Sequence, residues 1–370
     1  MKICLITEHF PPHIGGVEIA FEKYAEGLSA KGHDVIVATS NSGGITGEKN
    51  IGNLKIDFLD CKSLFGHPII SVEKIEKYAD WADVIHTTTF TAALPSLKAA
   101  KKFKKPCVLM VHEVLGNKWF AIEKNPLKAL GFLFFERYVI KKKYSLWQAI
   151  SQSTQNDLIK LGIPEKKIEL IYHGIDYSIW NPEVEKKDLS GLLGFKKSDK
   201  IFLYNGRPGK TKGVFLLLEA IQKIKSTLSK DFKFGFILSK DPTDERLAFE
   251  NLIKKYNLQT IVKIKDSLLY PELPGYRKAA YAYIVPSLTE GFGFTAAEIS
   301  ALDVPLIVSN ADSLPEVASG KVLFFESGNS DDLAEKILLA TEGKFETIRT
   351  KKFNWNDSVN KIEIIYRELL

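Results

Sequence analysis

Short apolar runs alternate along this chain with amphipathic stretches of helical length, a pattern typical of βα units that feed a parallel sheet. In the first half, the apolar runs that predict strands cover residues 2–7, 34–39, 54–58, 84–87, 107–111, 146–150 and 168–171. The helical stretches between them lie near residues 19–30, 72–79, 91–103, 127–143 and 154–161. One doubly wound α/β domain accounts for both sets.

The alternation starts again near residue 201. Strands predicted at residues 201–205, 232–238, 261–264, 281–285, 305–309 and 322–325 alternate with helices at 214–225, 244–256, 294–302 and 331–341. A proline and a charged run within residues 176–199 are typical of a surface linker. The sequence therefore predicts two Rossmann-like domains, residues 1–180 and 190–354, and a final amphipathic helix over 355–370 with its cap at Asn356 or Asp357.

The bulk composition agrees with two folded domains. A chain of 370 residues exceeds the size at which a single hydrophobic core usually stops growing. Its 45% hydrophobic and 26% charged residues are typical of a globular protein. The net charge of +6 suits anionic ligands such as nucleotide diphosphates or acidic lipid headgroups, but it is too small to indicate nucleic acid.

The cysteines and the N-terminus predict the compartment. Cys4, Cys61 and Cys107 stand far apart without a Cys-x-x-Cys spacing, so neither a disulfide framework nor a zinc site is indicated. Glu8 interrupts the first apolar run, which is typical of a buried strand rather than a signal peptide. No run approaches the roughly 20 apolar residues that cross a bilayer. We therefore expect a cytoplasmic protein, any membrane contact being peripheral and at the inner face.

The most informative segment is Glu290-Gly-Phe-Gly-Phe-Thr-Ala-Ala-Glu298, between a predicted strand and a predicted helix. Its two glycines permit a tight turn, and the helix start offers unpaired amides that suit a phosphate. The plain alternative is a strand-to-helix turn without a ligand. Glu298 lies about one turn inside the helix, where a carboxylate can accept hydrogen bonds from a ribose diol. Its own alternative is a solvated helix residue.

A second strand-to-helix segment, Tyr204-Asn-Gly-Arg-Pro-Gly-Lys-Thr-Lys-Gly213, carries positive charge. Arg207 and Lys212 could both approach a diphosphate. An exposed basic turn is the alternative. Tyr204 stands where a Walker motif needs its first glycine, so ATP hydrolysis is not indicated.

Taken in order, these segments resemble the retaining glycosyltransferases of family 4, over nearly the whole chain. Four further segments carry the resemblance: Phe10-Pro-Pro-His-Ile-Gly-Gly-Val-Glu18, His112-Glu113, Ser151-Gln-Ser-Thr154 and His173-Gly-Ile-Asp176. The resemblance implies the α/β GT-B architecture, in which two facing Rossmann-like domains with parallel sheets enclose an interdomain cleft. The first domain would serve the acceptor, the second would bind the donor nucleotide-sugar, and helix 355–370 would pack back on the first.

The resemblance also implies roles for the matching residues. Arg207 and Lys212 would bind the donor diphosphate, and Glu298 would bind its ribose. The transferred sugar and the distal phosphate would be held by Glu290 and by the amides of Gly291, Phe292, Gly293 and Phe294.

On the acceptor side, the resemblance implies that the amides of Gly15 and Gly16 approach the phosphate or the acceptor. His112 would lie beside the reacting sugar, although a lone histidine at a strand end is more often structural. His112, Glu290, Arg207 and Lys212 then form the expected catalytic set.

The implied reaction moves a sugar from a UDP- or GDP-linked donor to an acceptor hydroxyl with retention of configuration. No Asp-x-Asp metal motif is evident, so we expect cationic side chains in place of a metal, and no cofactor. A dehydrogenase is disfavoured because no Gly-x-Gly-x-x-Gly follows the first strand. A sugar-nucleotide epimerase and a non-catalytic sugar-nucleotide-binding protein remain open.

Residues 118–143 are the candidate acceptor contact. They combine aromatic and aliphatic bulk with basic charge, which suits a lipid acceptor at an anionic membrane surface, while a glycan, a small polyol or a sugar phosphate stay open as acceptors. The alternative is a core helix with a solvated basic end.

Overall fold

The computed structural model describes residues 1–13, 15–41, 44–64 and 67–370. These residues form two compact units. One consists of Met1–Gly174 together with Phe353–Leu370, and the other consists of Ile175–Lys352. Each unit holds one large, mainly parallel sheet with helices, so the predicted α/β class is confirmed.

The first unit contains ten strands among its described residues. They are β1 (Lys2–Thr7), β2 (Asp34–Ser40), β3 (Gly47–Ile51), β4 (Leu54–Leu59), β5 (Lys62–Leu64), β6 (His67–Ile69), β7 (Val84–Thr88), β8 (Cys107–Val111), β9 (Leu146–Ala149) and β10 (Ile168–Leu170). The helices are α1 (Gly16–Ala30), α2 (Val72–Trp81), α3 (Ala93–Lys102), α4 (Trp119–Ile122), α5 (Pro126–Ile140), α6 (Gln152–Lys160) and, at the chain's end, α14 (Trp355–Leu369).

The main sheet of this unit has the order β10-β9-β8-β7-β1-β2-β4-β3. All neighbours are parallel except β3, which pairs antiparallel with β4. β8 is buried along its whole length, which explains its unbroken apolar run, and β7 is equally buried although it carries His86, Thr87 and Thr88. The strand order reverses between β1 and β7, and open α/β sheets bind ligands beyond the carboxyl ends of strands at such a point.

The second unit contains seven strands, β11 (Lys200–Gly206), β12 (Phe232–Leu238), β13 (Val262–Asp266), β14 (Ala282–Val285), β15 (Leu306–Ser309), β16 (Gly320–Phe325) and β17 (Glu346–Ile348). Its helices are α7 (Leu189–Leu193), α8 (Val214–Ile224), α9 (Thr243–Lys255), α10 (Leu273–Lys278), α11 (Phe294–Ala301), α12 (Leu314–Val317) and α13 (Ser330–Thr341). The sheet order is β13-β12-β11-β14-β15-β16-β17, and only β17 runs antiparallel to its neighbour.

The periodicity of apolar residues on α8 explains how this helix packs against the sheet of the second unit. On α8, Val214, Leu217, Leu218 and Ile221 recur at three- and four-residue steps and are all buried. They join the phenylalanines of β11 and β12 in one core cluster. In the parts of the chain that the structure describes, no helix is both long enough and apolar enough to span a membrane.

The start of α14 corrects one expectation. The helix begins at Trp355, with Asn354 in the capping position, so the predicted cap at Asn356 or Asp357 is wrong. Asn354 makes no side-chain bond to the helix amides, and its amide group instead donates to the Asp357 carboxylate at 3.1 Å. The capping position is therefore held by an asparagine, a residue type that favours this position, but it lies two residues before Asn356.

Candidate functional site

The second unit places both charged turns at one point of its sheet. β11 and β14 are neighbours, with Phe202 paired to Ala282, and the strand order reverses between them. The turn that carries Arg207 and Lys212 follows β11, while the turn that carries Glu290 follows β14. The two segments singled out from the sequence therefore meet at the position where this class of sheet binds ligands.

Backbone contacts hold the two turns together. The amide of Leu288 donates to the carbonyl of Thr211 at 2.7 Å. Gly213 has a φ of 65° and approaches Pro286 so closely that a Cβ atom would lie 1.7 Å from the Pro286 oxygen. Only glycine fits this position, since any side chain would collide with the neighbouring backbone. Gly213 thus fixes the spacing between the turns.

Lys212 and Glu290 form an ion pair across the two turns. The Lys212 ammonium nitrogen lies 2.7 Å from Glu290 Oε1, and the Ser287 hydroxyl donates to the same oxygen at 2.8 Å. Arg207 lies in the same turn as Lys212 but is exposed, and within the described residues its guanidinium forms no ion pair. Lys212 is therefore neutralised by Glu290, whereas the charge of Arg207 is uncompensated in the part of the chain that the structure describes.

Asp312 and Ser313, which the sequence reasoning missed, hold the Glu290 backbone in place. Asp312 Oδ2 accepts from the Glu290 amide at 3.2 Å and from the Thr289 hydroxyl at 2.7 Å. The Ser313 hydroxyl donates to the Glu290 carbonyl at 2.8 Å. Both residues follow β15, so the signal that would have found them is a polar segment at the end of the next strand.

The start of α11 gives the site an uncapped helix terminus. Gly293 precedes the helix with a φ of 87° and provides no side-chain cap, so the amides of the first turn stay available to a ligand. A Cβ atom at Gly293 would lie 2.9 Å from Leu314 Cδ2. Phe292 is buried, and its ring centroid lies 5.0 Å from that of Phe294. The Phe292 side chain thus packs inward, and only its backbone can serve a ligand.

Glu298 is deeply buried rather than solvated. It is 5% exposed, and it receives hydrogen bonds from Arg277 Nη1 at 2.5 Å and from the Tyr270 hydroxyl at 3.1 Å. Burial raises the pKa of the Glu298 carboxyl, and the Arg277 guanidinium opposes that rise. Arg277 also donates to Asn205 Oδ1 at 2.7 Å, and its guanidinium lies 4.8 Å from the centroid of the Trp180 ring. This network connects Glu298 to the end of β11.

In the first unit, Gly15 and Gly16 lie at the start of α1, after β1. Gly15 occupies the capping position with no side-chain bond to the helix, and Gly16 is the first helical residue. A Cβ atom at Gly15 would lie 2.3 Å from Glu18 Oε2. The buried Glu18 carboxylate lies 2.5 Å from His13 Nδ1. Ile14, part of the same predicted segment, falls outside the described residues.

His112 follows β8 and has an electrically neutral ring. Burial lowers its pKa to about 4, and its Nε2 atom is buried with no hydrogen-bond partner in the described part of the chain. Its ring centroid lies 6.0 Å from that of His173, which lies 5.5 Å from that of Trp355. Such a ring can exchange a hydrogen bond with a ligand, but it would not supply positive charge at neutral pH.

Across residues 1–13, 15–41, 44–64 and 67–370, no group of three or more histidine, cysteine or acidic side chains is arranged to hold a metal ion. Arg207, Lys212 and the first turn of α11 can each offer positive charge or amide donors to an anion in the second unit.

Two Rossmann-like α/β units, the second with paired turns at its strand-order reversal, define a protein of the GT-B class. The chain belongs to the glycosyltransferases. The family described as Glycosyltransferase Family 4 matches residues 14–178, and the family described as Glycosyl transferases group 1 matches residues 185–354. The expected family and the glycosyltransferase function are thus confirmed.

Two curated relatives illustrate the likeness in sequence. A UDP-Gal:alpha-D-GlcNAc-diphosphoundecaprenol alpha-1,3-galactosyltransferase of Escherichia coli is 26% identical, over 87% of this chain and 82% of its own length. An MMP alpha-(1->4)-mannosyltransferase of Mycolicibacterium hassiacum is 23% identical, over 86% of this chain and 83% of its own.

Solved structures show the same fold. Sucrose-phosphate synthase from Thermosynechococcus elongatus has a TM-score of 0.79 at 21% identity, covering 99% of this chain and 98% of its own. HepE of Anabaena in complex with UDP has a TM-score of 0.77 at 18% identity, covering 100% of both chains. HepE has also been solved with UDP-glucose.

Proposed function

We propose that this glycosyltransferase uses a UDP-linked sugar as donor and transfers the sugar to a lipid-linked acceptor with retention of configuration and without a metal ion. The observation that carries the proposal is the meeting of Arg207, the Lys212–Glu290 pair and the uncapped start of α11 at the strand-order reversal of the second unit. The choice of UDP over GDP is supported by the E. coli relative and by the HepE complexes.

The donor diphosphate is proposed to bind Arg207 and the amides of Gly291 to Phe294. A charged hydrogen bond contributes about 1.5–3 kcal/mol, so an uncompensated guanidinium is a strong anchor. Lys212 would share its ammonium between Glu290 and the distal phosphate. Glu298, already oriented by Arg277 and Tyr270, would use its remaining acceptor capacity for the ribose hydroxyls.

During transfer, negative charge accumulates on the departing UDP while the sugar ring becomes positive. Arg207, Lys212 and the helix amides are suited to the first charge. Glu290, held by Ser287 and Asp312, is suited to orient the sugar and to lie near the second. The proposed retention comes from attack of the acceptor oxygen on the face that UDP leaves: the new carbon–oxygen bond replaces the bond to UDP, and the hydroxyl proton passes to the leaving diphosphate. His112, and the Gly15–Gly16 amides of the first unit, stay candidates through the family resemblance, His112 as a neutral hydrogen-bonding contact.

The first test is a thermal-shift series with UDP, GDP and ADP on the full chain, because a ligand that binds the folded state raises its melting temperature. We expect UDP to give the largest shift, unchanged by EDTA. Transfer from UDP-sugars to undecaprenyl-diphosphate-linked sugars is then followed by NMR of the product's anomeric proton. Absence of a shift with every nucleotide, or an inverted product, would overturn the corresponding part of the proposal.

The matched variants are Arg207→Ala and Lys210→Ala, two cations of the same turn. We expect Arg207→Ala to lower kcat by about 10²–10³, the effect of removing one stabilising donor at a developing charge, and to weaken the UDP shift. Lys210→Ala should stay within about twofold of the parent, since surface changes of this kind are usually small. An Arg207→Ala variant that, like Lys210→Ala, stays within about twofold of the parent would remove Arg207 from the site.

A further inference from the structure

The helix α5 is apolar on almost every side, yet only a narrow stripe of it is buried. The buried residues of this helix are Ala129, Leu133, Glu136, Val139 and Ile140. Its exposed apolar residues are Leu127, Leu130, Phe132, Phe134, Phe135 and Tyr138, among which Leu127 is 78% and Phe134 is 62% exposed. The core-helix alternative is therefore wrong for the outward side. A contiguous exposed apolar surface of this kind marks a binding surface.

This outward side, with Phe120 of α4, is here named the α5 face, and it is firmly held. The buried Glu136 carboxylate accepts from the amides of Leu115 and Gly116, both at 2.8 Å, which ties the preceding loop to the helix. The Trp119 ring packs on Phe132 with centroids 4.9 Å apart. The exposed apolar side chains therefore belong to a segment that is held in place by specific contacts.

The charges around the α5 face point to one kind of partner. Residues 118–143 contain seven lysines or arginines against two glutamates, and one of these, Glu136, is buried. Cations also line an open groove on this face, formed by Phe134, Phe135, Arg137, Tyr138, Lys141 and Lys142. The Lys142 ammonium lies 3.5 Å from the centroid of the Tyr138 ring. Protein interfaces are depleted of lysine, whereas helices that lie on anionic membranes combine lysine with aromatic bulk.

We infer that the α5 face docks on an anionic phospholipid bilayer, with Leu127 and Phe134 entering the acyl boundary and Lys141–Lys143 contacting the headgroups. The helix would lie in the plane of the interface, since its 15 residues are too few to cross. This inference deepens the proposed function, because a lipid-linked acceptor is presented at such a surface. Docking itself requires no donor and no transfer.

The test is sedimentation of the full chain with vesicles. Wild type should bind vesicles of phosphatidylglycerol and phosphatidylcholine at least about tenfold more tightly than pure phosphatidylcholine, because each basic residue near an anionic surface adds attraction. The double variant Leu127→Ser with Phe134→Ser should lose at least about tenfold in affinity through lost apolar burial. The matched control, Leu247→Ser with Ile364→Ser, also removes two exposed apolar side chains and should bind as wild type does.

Several results would overturn the inference. The first is that wild type does not sediment with anionic vesicles. The second is that the control variant loses as much vesicle affinity as the α5 variant. The third is that wild type binds no vesicles but forms a concentration-dependent dimer, which the α5 variant dissociates. The UDP thermal shift, measured on the same samples, separates the two proposals. A retained shift without vesicle binding rejects only the docking surface, and vesicle binding without any nucleotide shift rejects only the proposed donor.

Discussion

Buried charge at Glu298 shows how single residues shape this site. Both carboxylate oxygens have partners, one from α10 and one from the turn before it, and those partners are in turn held by Asn205 and Trp180. Removing one member of such a pair typically costs about 3–5 kcal/mol, because the other charge is left buried and unpaired. The sequence indicated Glu298 by its apolar neighbours, but nothing in it connects residue 298 with Arg277, since their contact forms only in the folded second unit.

The buried side chain of His86 should make the stability of the first unit depend on pH. Burial lowers its pKa to about 3, with a further contribution from His112, and its Nδ1 atom lies 2.5 Å from the Tyr366 hydroxyl. An unfolded histidine titrates near about 6.5. Between these values the unfolded chain binds a proton that the folded chain does not, so stability falls as the pH decreases. From pH 7 to pH 5 this residue should cost about 2 kcal/mol.

The measurement is urea unfolding followed by tryptophan fluorescence, which reports mainly on the first unit because four of the five tryptophans lie there. His86→Gln keeps a hydrogen-bonding side chain without the titration. Its loss of stability between pH 7 and pH 5 should be about 2 kcal/mol smaller than that of wild type. Parallel pH profiles for the two proteins would contradict the assignment, whatever their difference at pH 7.

Among the elements, those with a strong pattern were predictable and those without one were not. Every strand predicted from an apolar run is present, and strands such as β8 and β15 that are buried along their whole length are apolar at most positions. The strands β3, β5, β6 and β17 were missed, since they are short and belong to a hairpin or a sheet edge where polar residues are tolerated. The site's two turns were predicted from their glycines and charges, but the spacing between the turns depends on tertiary contacts.

A substitution at Gly213 tests whether the spacing between the two turns is fixed. Gly213→Ala should destabilise the second unit by roughly 1–3 kcal/mol through its left-handed backbone alone, with a further cost from collision with Pro286. Gly209→Ala, in the same turn, is the matched control: Gly209 has a φ of −105°, and its nearest potential contact is 3.7 Å away. Hydrogen exchange read peptide by peptide should separate the two variants, with faster exchange in β11 and β14 for Gly213→Ala only. Equal stabilities would show that the turns tolerate a different spacing.

At the scale of the whole molecule, the chain returns to the first unit after the second, because α14 belongs to the first unit. Val359, Ile362, Ile365 and Tyr366 form the buried face of this helix. A Cβ atom at Gly27 of α1 would lie 2.7 Å from Val359 Cγ2, and Glu363 lies 2.7 Å from Lys31 and 3.0 Å from His33. The packing of the first unit therefore includes residues 353–370, and its stability should respond to changes near residue 366 that leave the second unit intact.

Tyr366→Ala tests this separation. Tyr366 is fully buried and bonds to His86, so its truncation should destabilise the first unit by about 3–5 kcal/mol, as large aromatic-to-alanine changes in cores do. Hydrogen exchange read peptide by peptide should show faster exchange in β1 and β7, while β12 and β15 keep the wild-type rates, because local stability follows the cooperative unit. Ile364→Ala on the exposed side of the same helix should change neither set. Faster exchange in both units would mean that the chain unfolds as one cooperative body and that α14 supports all of it.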